Sequence, residues 1–189
     1  MDVYGNNNIQ FCSQHIMTSN VLKKVGQNME QYLPQRANIV ELDYRYAPDK
    51  KVAQELCQTW KGAEFMNIIA SSSTSPTRRI YAITVQNSDY EHLDASKILG
   101  IADFELTDRH AKTRFLQAKP DIISQKCREI KGIGRFLMKG IVSHLKNLGF
   151  LDMSVFVRQS EKSFYRTVFP EITDKISTSE DTTNMILKL

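Results

Sequence analysis

The sequence predicts a mixed α/β fold in which a mostly antiparallel central sheet is flanked by helices, and three observations carry that reading. Runs of alternating or wholly apolar residues recur at 38–44, 79–85, 98–106 and 114–118, which is the pattern of strands. Further on, Ile133, Phe136, Leu137, Ile141, Leu145 and Leu148 fall at three- and four-residue steps. That spacing is one face of a long helix, and Gly149 follows it as a stop. Directly after come a strand at 152–157 and a helix from 161 to about 168 that Ser160 is positioned to cap.

The remaining elements follow in chain order. Residues 1–36 are rich in Asn, Gln and Ser, with one weak helical stretch at 21–25 and Pro34 closing it. They are expected to form an N-terminal extension, with residues 37–189 as the folded domain. A helix is expected at 49–57, just behind Pro48. The runs at 65–70 and 79–85 are expected to pair as a hairpin across the Ser-rich stretch 71–77, and a closing strand is expected near 185–187.

Composition narrows the function classes. A chain of 189 residues is long enough to bury a full hydrophobic core without staples. Cys12, Cys57 and Cys127 are scattered and show no C-x-x-C spacing, so neither a disulfide framework nor a metal site is expected, and a reducing cytoplasm suits them. The N-terminus lacks the basic start and apolar run of a secretory signal, and no apolar stretch approaches the roughly 20 residues of a membrane helix.

The net charge of +4 is unevenly spread: residues 61–108 carry four basic and seven acidic side chains, residues 109–146 ten basic and two acidic. A patch of that sign suits a polyphosphate ligand or a nucleic acid. Few aromatics interleave the cations, which argues against nucleic acid. The acidic bias of residues 61–108 leans toward a cationic amine as partner.

Inside the basic segment lies Lys131-Gly132-Ile133-Gly134-Arg135, at the start of the strongest helix. Glycines there let backbone approach a phosphate closely, while the unpaired first N–H groups of the helix and its dipole favour an anion. Lys131 and Arg135 add positive charge. The dinucleotide fingerprint fails because its third glycine is Leu137, and the Gly-Lys-Ser/Thr of the nucleotide-triphosphate loop is absent.

This turn, in the run from Cys127 to Leu137, resembles the pyrophosphate loop R/Q-x-x-G-x-G/A of the GNAT superfamily of N-acetyltransferases, small bacterial-type members in particular. Ser163-Phe164-Tyr165-Arg166-Thr167-Val168-Phe169 resembles that family's F-Y-x-x-x-G-F segment, and residues 115–120 are also similar to small bacterial members. Two positions depart from the pattern: Glu129 stands where the loop has Arg or Gln, and Phe169-Pro170 where the later segment has Gly-Phe.

The resemblance implies acetyl-CoA as cosubstrate and direct transfer of its acetyl group to a primary amine; a homodimer is an expectation from the resemblance alone, and the oligomeric state stays open. It implies coenzyme contacts at Lys131, Gly132, Ile133, Gly134 and Arg135. It also implies a strand entering the loop near Ile122, Ile123 and Ser124, whose backbone N–H polarises the thioester carbonyl. Tyr165 stands at the position of the acid that protonates the leaving sulfur; the alternative is a core tyrosine beside Phe164 and Phe169. For the base, Glu105 or Asp103 is suited, since strand alternation puts both on one face; the alternative is a pair of solvated carboxylates.

His110 and His144 have no partner at a telling spacing and are expected at the surface, and Cys127 has no role in direct transfer. Trp60, Tyr44 and Tyr46 are expected toward the acceptor side. A second reading is a non-catalytic acyl-CoA-binding protein of the same fold, suggested by Glu129 and Phe169-Pro170.

Overall fold

The computed structural model describes residues 13–26, 31–43, 46–60, 77–123, 128–175 and 181–189. Its strands are β1 (Gln14–Val25), β2 (Gln31–Leu42), β3 (Arg78–Thr84), β4 (Ile98–Thr107), β5 (His110–Ala118), β6 (Ile130–Lys131), β7 (Asp152–Arg158), β8 (Thr173–Lys175) and β9 (Thr182–Lys188). The helices are α1 (Ala47–Thr59), α2 (Pro120–Ile123), α3 (Ile133–Asn147) and α4 (Lys162–Val168).

Among the described residues the strands make one sheet in the order β6-β1-β2-β3-β4-β5-β7-β9-β8. Every neighbouring pair is antiparallel except β5 and β7. A parallel pair cannot be closed by a hairpin and needs a crossover; α3 supplies it. The mixed, mostly antiparallel sheet expected from the sequence is therefore what the chain forms.

Alternation along the strands feeds two cores. On one face Ile39, Tyr81, Phe104 and Met153 pack with Ile133, Leu137, Met138, Ile141 and Leu145 of α3. On the other, Val40, Ile80, Ile98 and Ile101 pack with Val52 and Leu56 of α1 and with Trp60. Each such large apolar side chain contributes about 1.5–3 kcal/mol on burial, so the two layers hold α1 and α3 to opposite faces.

Four expectations are corrected here. Residues 21–25 are strand, not helix: β1 pairs with β2 along its length, and Val21 is fully buried in the α3-side core. Cross-strand pairing overrides the mild helical preference of Leu and Lys. Ala37, the expected start of the domain, lies inside β2. The buried stripe of α3 includes Met138 and Gly140, whereas Leu148 is exposed in the turn made by Gly149 with φ 83°. The short helix α4 begins at Lys162 after a turn in which the Arg158 N–H donates to Glu161 at 3.0 Å, so Ser160 is not its cap. The run at 65–70 lies outside the described residues. No described helix is long and apolar enough to cross a membrane.

Trp60, expected toward the acceptor, is instead buried behind α1. At the other end of that helix Asp49 is fully buried, and its Oδ2 accepts the Asp43 N–H at 2.7 Å. Burial pushes its carboxyl up to about 6 in spite of that hydrogen bond. Between the ordinary value of 3.8 and about 6 the folded chain holds a proton that the unfolded chain has released, so stability falls as pH rises through this window. Asp49→Asn is expected to flatten that fall and raise Tm near neutrality relative to wild type, measured by thermal unfolding between about pH 4 and about pH 7. Parallel curves for the two proteins would show that Asp49 does not titrate there.

Candidate active site

The turn ahead of α3 is built by its glycines. Gly132 is the N-cap with φ 84° and ψ 2°, and no side chain caps the helix. A Cβ there would meet the Phe136 ring at 2.6 Å, because that ring folds back across the glycine. The first helical bond is from the Phe136 N–H to the Gly132 carbonyl at 2.9 Å. The N–H groups of Ile133, Gly134 and Arg135 thus precede any intrahelical acceptor and point out of the helix end, a concentration of positive dipole suited to an anion. Arg135 is exposed beside them. The ammonium of Lys131 sits 3.9 Å from the centroid of the Tyr32 ring.

Next to this turn the sheet opens. β5 and β7 are paired only from His110 opposite Asp152 to Thr113 opposite Val155. β5 continues to Ala118, still bonded to β4 on its other side, with Asp103 opposite Phe115 and Gly100 opposite Ala118. The register slips between Phe104 opposite Thr113 and Asp103 opposite Phe115, leaving Arg114 as the extra residue of a bulge. Past the bulge, no strand among the described residues lies beside the edge of β5 that faced β7. A strand edge of this kind is a row of open N–H and C=O groups able to pair with an extended ligand.

The turn and the opened edge meet. A Cβ on Gly134 would lie 3.3 Å from Phe164 Cζ of α4 and 3.9 Å from Leu116 Cδ2 of β5. Phe164 in turn packs edge-on against Tyr165, ring centroids 5.0 Å apart. The turn, the outer half of β5 and the aromatic start of α4 are therefore neighbours. Tyr165 is 7 % exposed, and burial, with Glu161 nearby, raises its phenol above the ordinary value of 10.0. A phenol so shifted keeps its proton at neutral pH.

Carboxylates lie on the opposite face of the sheet. Asp103 is buried and ion-paired with Arg78, whose Nε donates to Oδ1 at 2.9 Å. Glu105, two residues on, accepts from Arg114 at 3.2 Å and keeps about a third of its side chain exposed (34 %). Alternation thus does put both on one face, but arginines occupy both, which removes most of the acidic character expected of residues 61–108 at this point. Glu105 lies across from the β5 segment that carries the bulge, with Lys112 directly opposite.

Several expected features fall elsewhere. Ile122 and Ile123 belong to α2, not to a strand, and the Ile122 N–H is bonded to the Lys119 carbonyl at 3.1 Å. Pro120 ends β5 and starts that helix turn, which is why no strand forms there. Ser124 and Cys127 lie outside the described residues. The free strand edge is residues 114–118, missed at the sequence level although the alternation there was visible; which strand partners β7 depends on pairing that a single chain segment does not encode. His110 is not a lone surface histidine: Nδ1 meets Asp152 and Nε2 lies 2.9 Å from Ser154 Oγ. His144 is half-buried edge-on to Tyr81, and burial lowers its pKa.

No protein-family model matches the chain, and no curated protein matches it. Solved structures do. The GNAT domain of S. lividans PAT superposes with a TM-score of 0.56 at 10% identity, covering 91% of this chain and 97% of that one. The N-acetyltransferase PseH of Campylobacter jejuni in complex with acetyl coenzyme A gives 0.54 at 17% identity over 79% of this chain and 98% of that one. The PaiA N-acetyltransferase of Thermoplasma acidophilum in complex with coenzyme A gives 0.51 at 16% identity over 81% and 99%. The chain has the GNAT fold.

The turn itself is testable without a ligand. Gly132→Ala is expected to lower the unfolding free energy by about 1–2 kcal/mol in urea, from positive φ and from displacing the Phe136 ring. Gly26, with φ 83° and nothing within 4 Å of its absent Cβ, is the control. Equal losses for Gly26→Ala and Gly132→Ala would mean that the Phe136 contact contributes nothing.

Proposed function

We propose that this protein is an acetyl-CoA-dependent N-acetyltransferase that moves the acetyl group directly to a primary amine. The observation that carries the reading is the meeting of the glycine turn of α3 with the edge of β5 that parts from β7, where Gly134 adjoins Leu116 of β5 and Phe164 of α4, the residue before Tyr165. Two of the solved structures with this fold hold coenzyme A or acetyl coenzyme A.

The residues fit such a coenzyme. Its pyrophosphate would meet the N–H groups of Ile133, Gly134 and Arg135, with the Arg135 guanidinium adding charge. The amide-bearing pantetheine arm would take the place of a missing strand along residues 114–118. When bound, acetyl-CoA supplies an activated thioester. The bond formed is N–C and the bond broken is C–S, with one proton leaving the amine and one reaching the sulfur.

The chain's own groups divide that work. Tyr165 holds its proton through burial and is the donor to the departing sulfur. Glu105 is the carboxylate with solvent access, and accepts the amine's proton directly or through water; Asp103 is already committed to Arg78. A backbone N–H at the β5 bulge, near Phe115, is the donor to the thioester carbonyl.

A second reading, coenzyme binding without turnover, is favoured by Glu129 and Phe169-Pro170. An amine panel spanning polyamines, aminoglycosides, amino acids, and peptide N-termini and lysines separates the two. Acetylation of any member above the hydrolysis background removes the second reading, and binding with no transfer removes the first.

Gly134→Asp is expected to weaken acetyl-CoA by more than about a hundredfold in calorimetric titration, since a carboxylate and its bulk enter the anion site. Thermal unfolding shows whether the variant stays folded, and wild-type affinity in a folded variant contradicts the assignment of the turn. Tyr165→Phe is expected to lower kcat by about 10²–10⁴ while leaving coenzyme affinity unchanged. Unchanged kcat would reduce Tyr165 to a core residue.

A further inference from the structure

The glycine turn is not left to find its own shape. The two residues of β6 immediately ahead of it pair with β1, Leu22 opposite Lys131 and Lys23 opposite Ile130. The Lys24 N–H donates to the Glu129 carbonyl at 2.8 Å. From β2, the Tyr32 hydroxyl donates to the Arg128 carbonyl at 2.9 Å, and the Lys131 ammonium stacks on the same ring at 3.9 Å. Tyr32 stands opposite Lys24 in the β1–β2 pair, so these contacts form one site at the end of the hairpin. Residues 128, 129, 130 and 131 are each held by the N-terminal hairpin, and the anion-binding N–H groups begin two residues later.

We infer that Tyr32 is a positioning residue for the coenzyme turn, and that Lys131 acts as a latch on its ring rather than as a ligand of the phosphates. This rests on the reading of the turn as the coenzyme site. A turn free to move must be ordered when its ligand binds, which weakens affinity by roughly tenfold for each residue whose backbone has to be fixed. Fastening the approach to the turn in the free protein removes that penalty and aims the donors beforehand. The stacked ammonium and the phenol hydrogen bond act on adjoining parts of the same segment: the side chain of Lys131 and the carbonyl of Arg128. The N-terminal segment that composition alone sets apart as an extension is in this way a working part of the site.

The test uses the full chain and four variants: Tyr32→Leu, Tyr32→Phe, Lys131→Met and Lys131→Arg. Two quantities are read for each, acetyl-CoA affinity by titration and, without ligand, hydrogen exchange of the amides of residues 128–135. Tyr32→Leu and Lys131→Met are expected to weaken acetyl-CoA by about five- to tenfold and to speed exchange across the turn, with β3 to β5 as protected as in wild type. Lys131→Arg, which keeps the stacked cation, is expected to restore both readouts, and Tyr32→Phe, which keeps the ring but not the hydroxyl, to fall between.

If Lys131→Met weakens binding while exchange stays at the wild-type rate and Tyr32→Leu binds normally, Lys131 is a direct ligand and the latch is overturned. Faster exchange with unchanged affinity also overturns it. A wild-type protein that does not bind acetyl-CoA at all refutes the coenzyme reading itself, and the positioning role with it. That result is distinct from the other two, in which wild type binds.

Discussion

Everything that makes this sheet more than a scaffold follows from one limited pairing. β5 and β7 run parallel, and they stay together for only four residue pairs, ending at Thr113 and Val155. Parallel strands require a crossover, so α3 must start near the far end of β5 and return across the sheet, and its N-terminus is thereby delivered to the point where the two strands part. Had the pairing continued to Ala118, residues 114–118 would carry backbone hydrogen bonds to β7 on that edge. The bulge at Arg114 is where the ladder with β4 changes register, immediately after the last pair with β7.

Packing then fixes how closely the parts approach. Gly100 admits Ile133, whose Cγ2 would lie 2.7 Å from a Cβ at that position, so the first turn of α3 seats on the sheet. Gly140 does the same further along, letting the helix approach Ile39 and Met17 of the N-terminal strands. The hairpin of β1 and β2 thus touches the middle of α3, at Gly140, and the approach to its N-terminus at once. Two arginine–carboxylate pairs lie on this part of the sheet: Arg78 with Asp103 inside, Arg114 with Glu105 nearer solvent. Removing one partner of the inner pair would leave an uncompensated charge at a cost of about 3–5 kcal/mol. The outer pair is worth far less and leaves Glu105 accessible.

The elements legible in the sequence were those whose cause is local. The glycine turn, the apolar stripe of α3 with its Gly149 stop, and the strands at 79–85, 98–106 and 152–157 all announce themselves through spacing or turn chemistry. What was illegible depends on partners distant in sequence. Residues 21–25 read as helix until β2 lies beside them. The free strand edge was expected at Ile122–Ser124, ahead of the turn in sequence, whereas in space it is residues 114–118, because Pro120 starts a helical turn. His110 gained Asp152 and Ser154 from a strand 42 and 44 residues further along the chain. Asp103 and Glu105 were expected to share a face, and they do; that Arg78 would neutralise one of them is a matter of register with β3.

The central claim is that the gap between β5 and β7 receives an extended coenzyme arm while the start of α3 receives its phosphates. Backbone amide exchange, followed by mass spectrometry or NMR with and without acetyl-CoA, tests both halves in one experiment. The account predicts new protection in two separated stretches, residues 114–118 of β5 and residues 133–135 at the start of α3, with little change in the paired segment 110–113. Saturation with acetyl-CoA that leaves residues 114–118 unprotected, or that protects another face of the sheet instead, would contradict it.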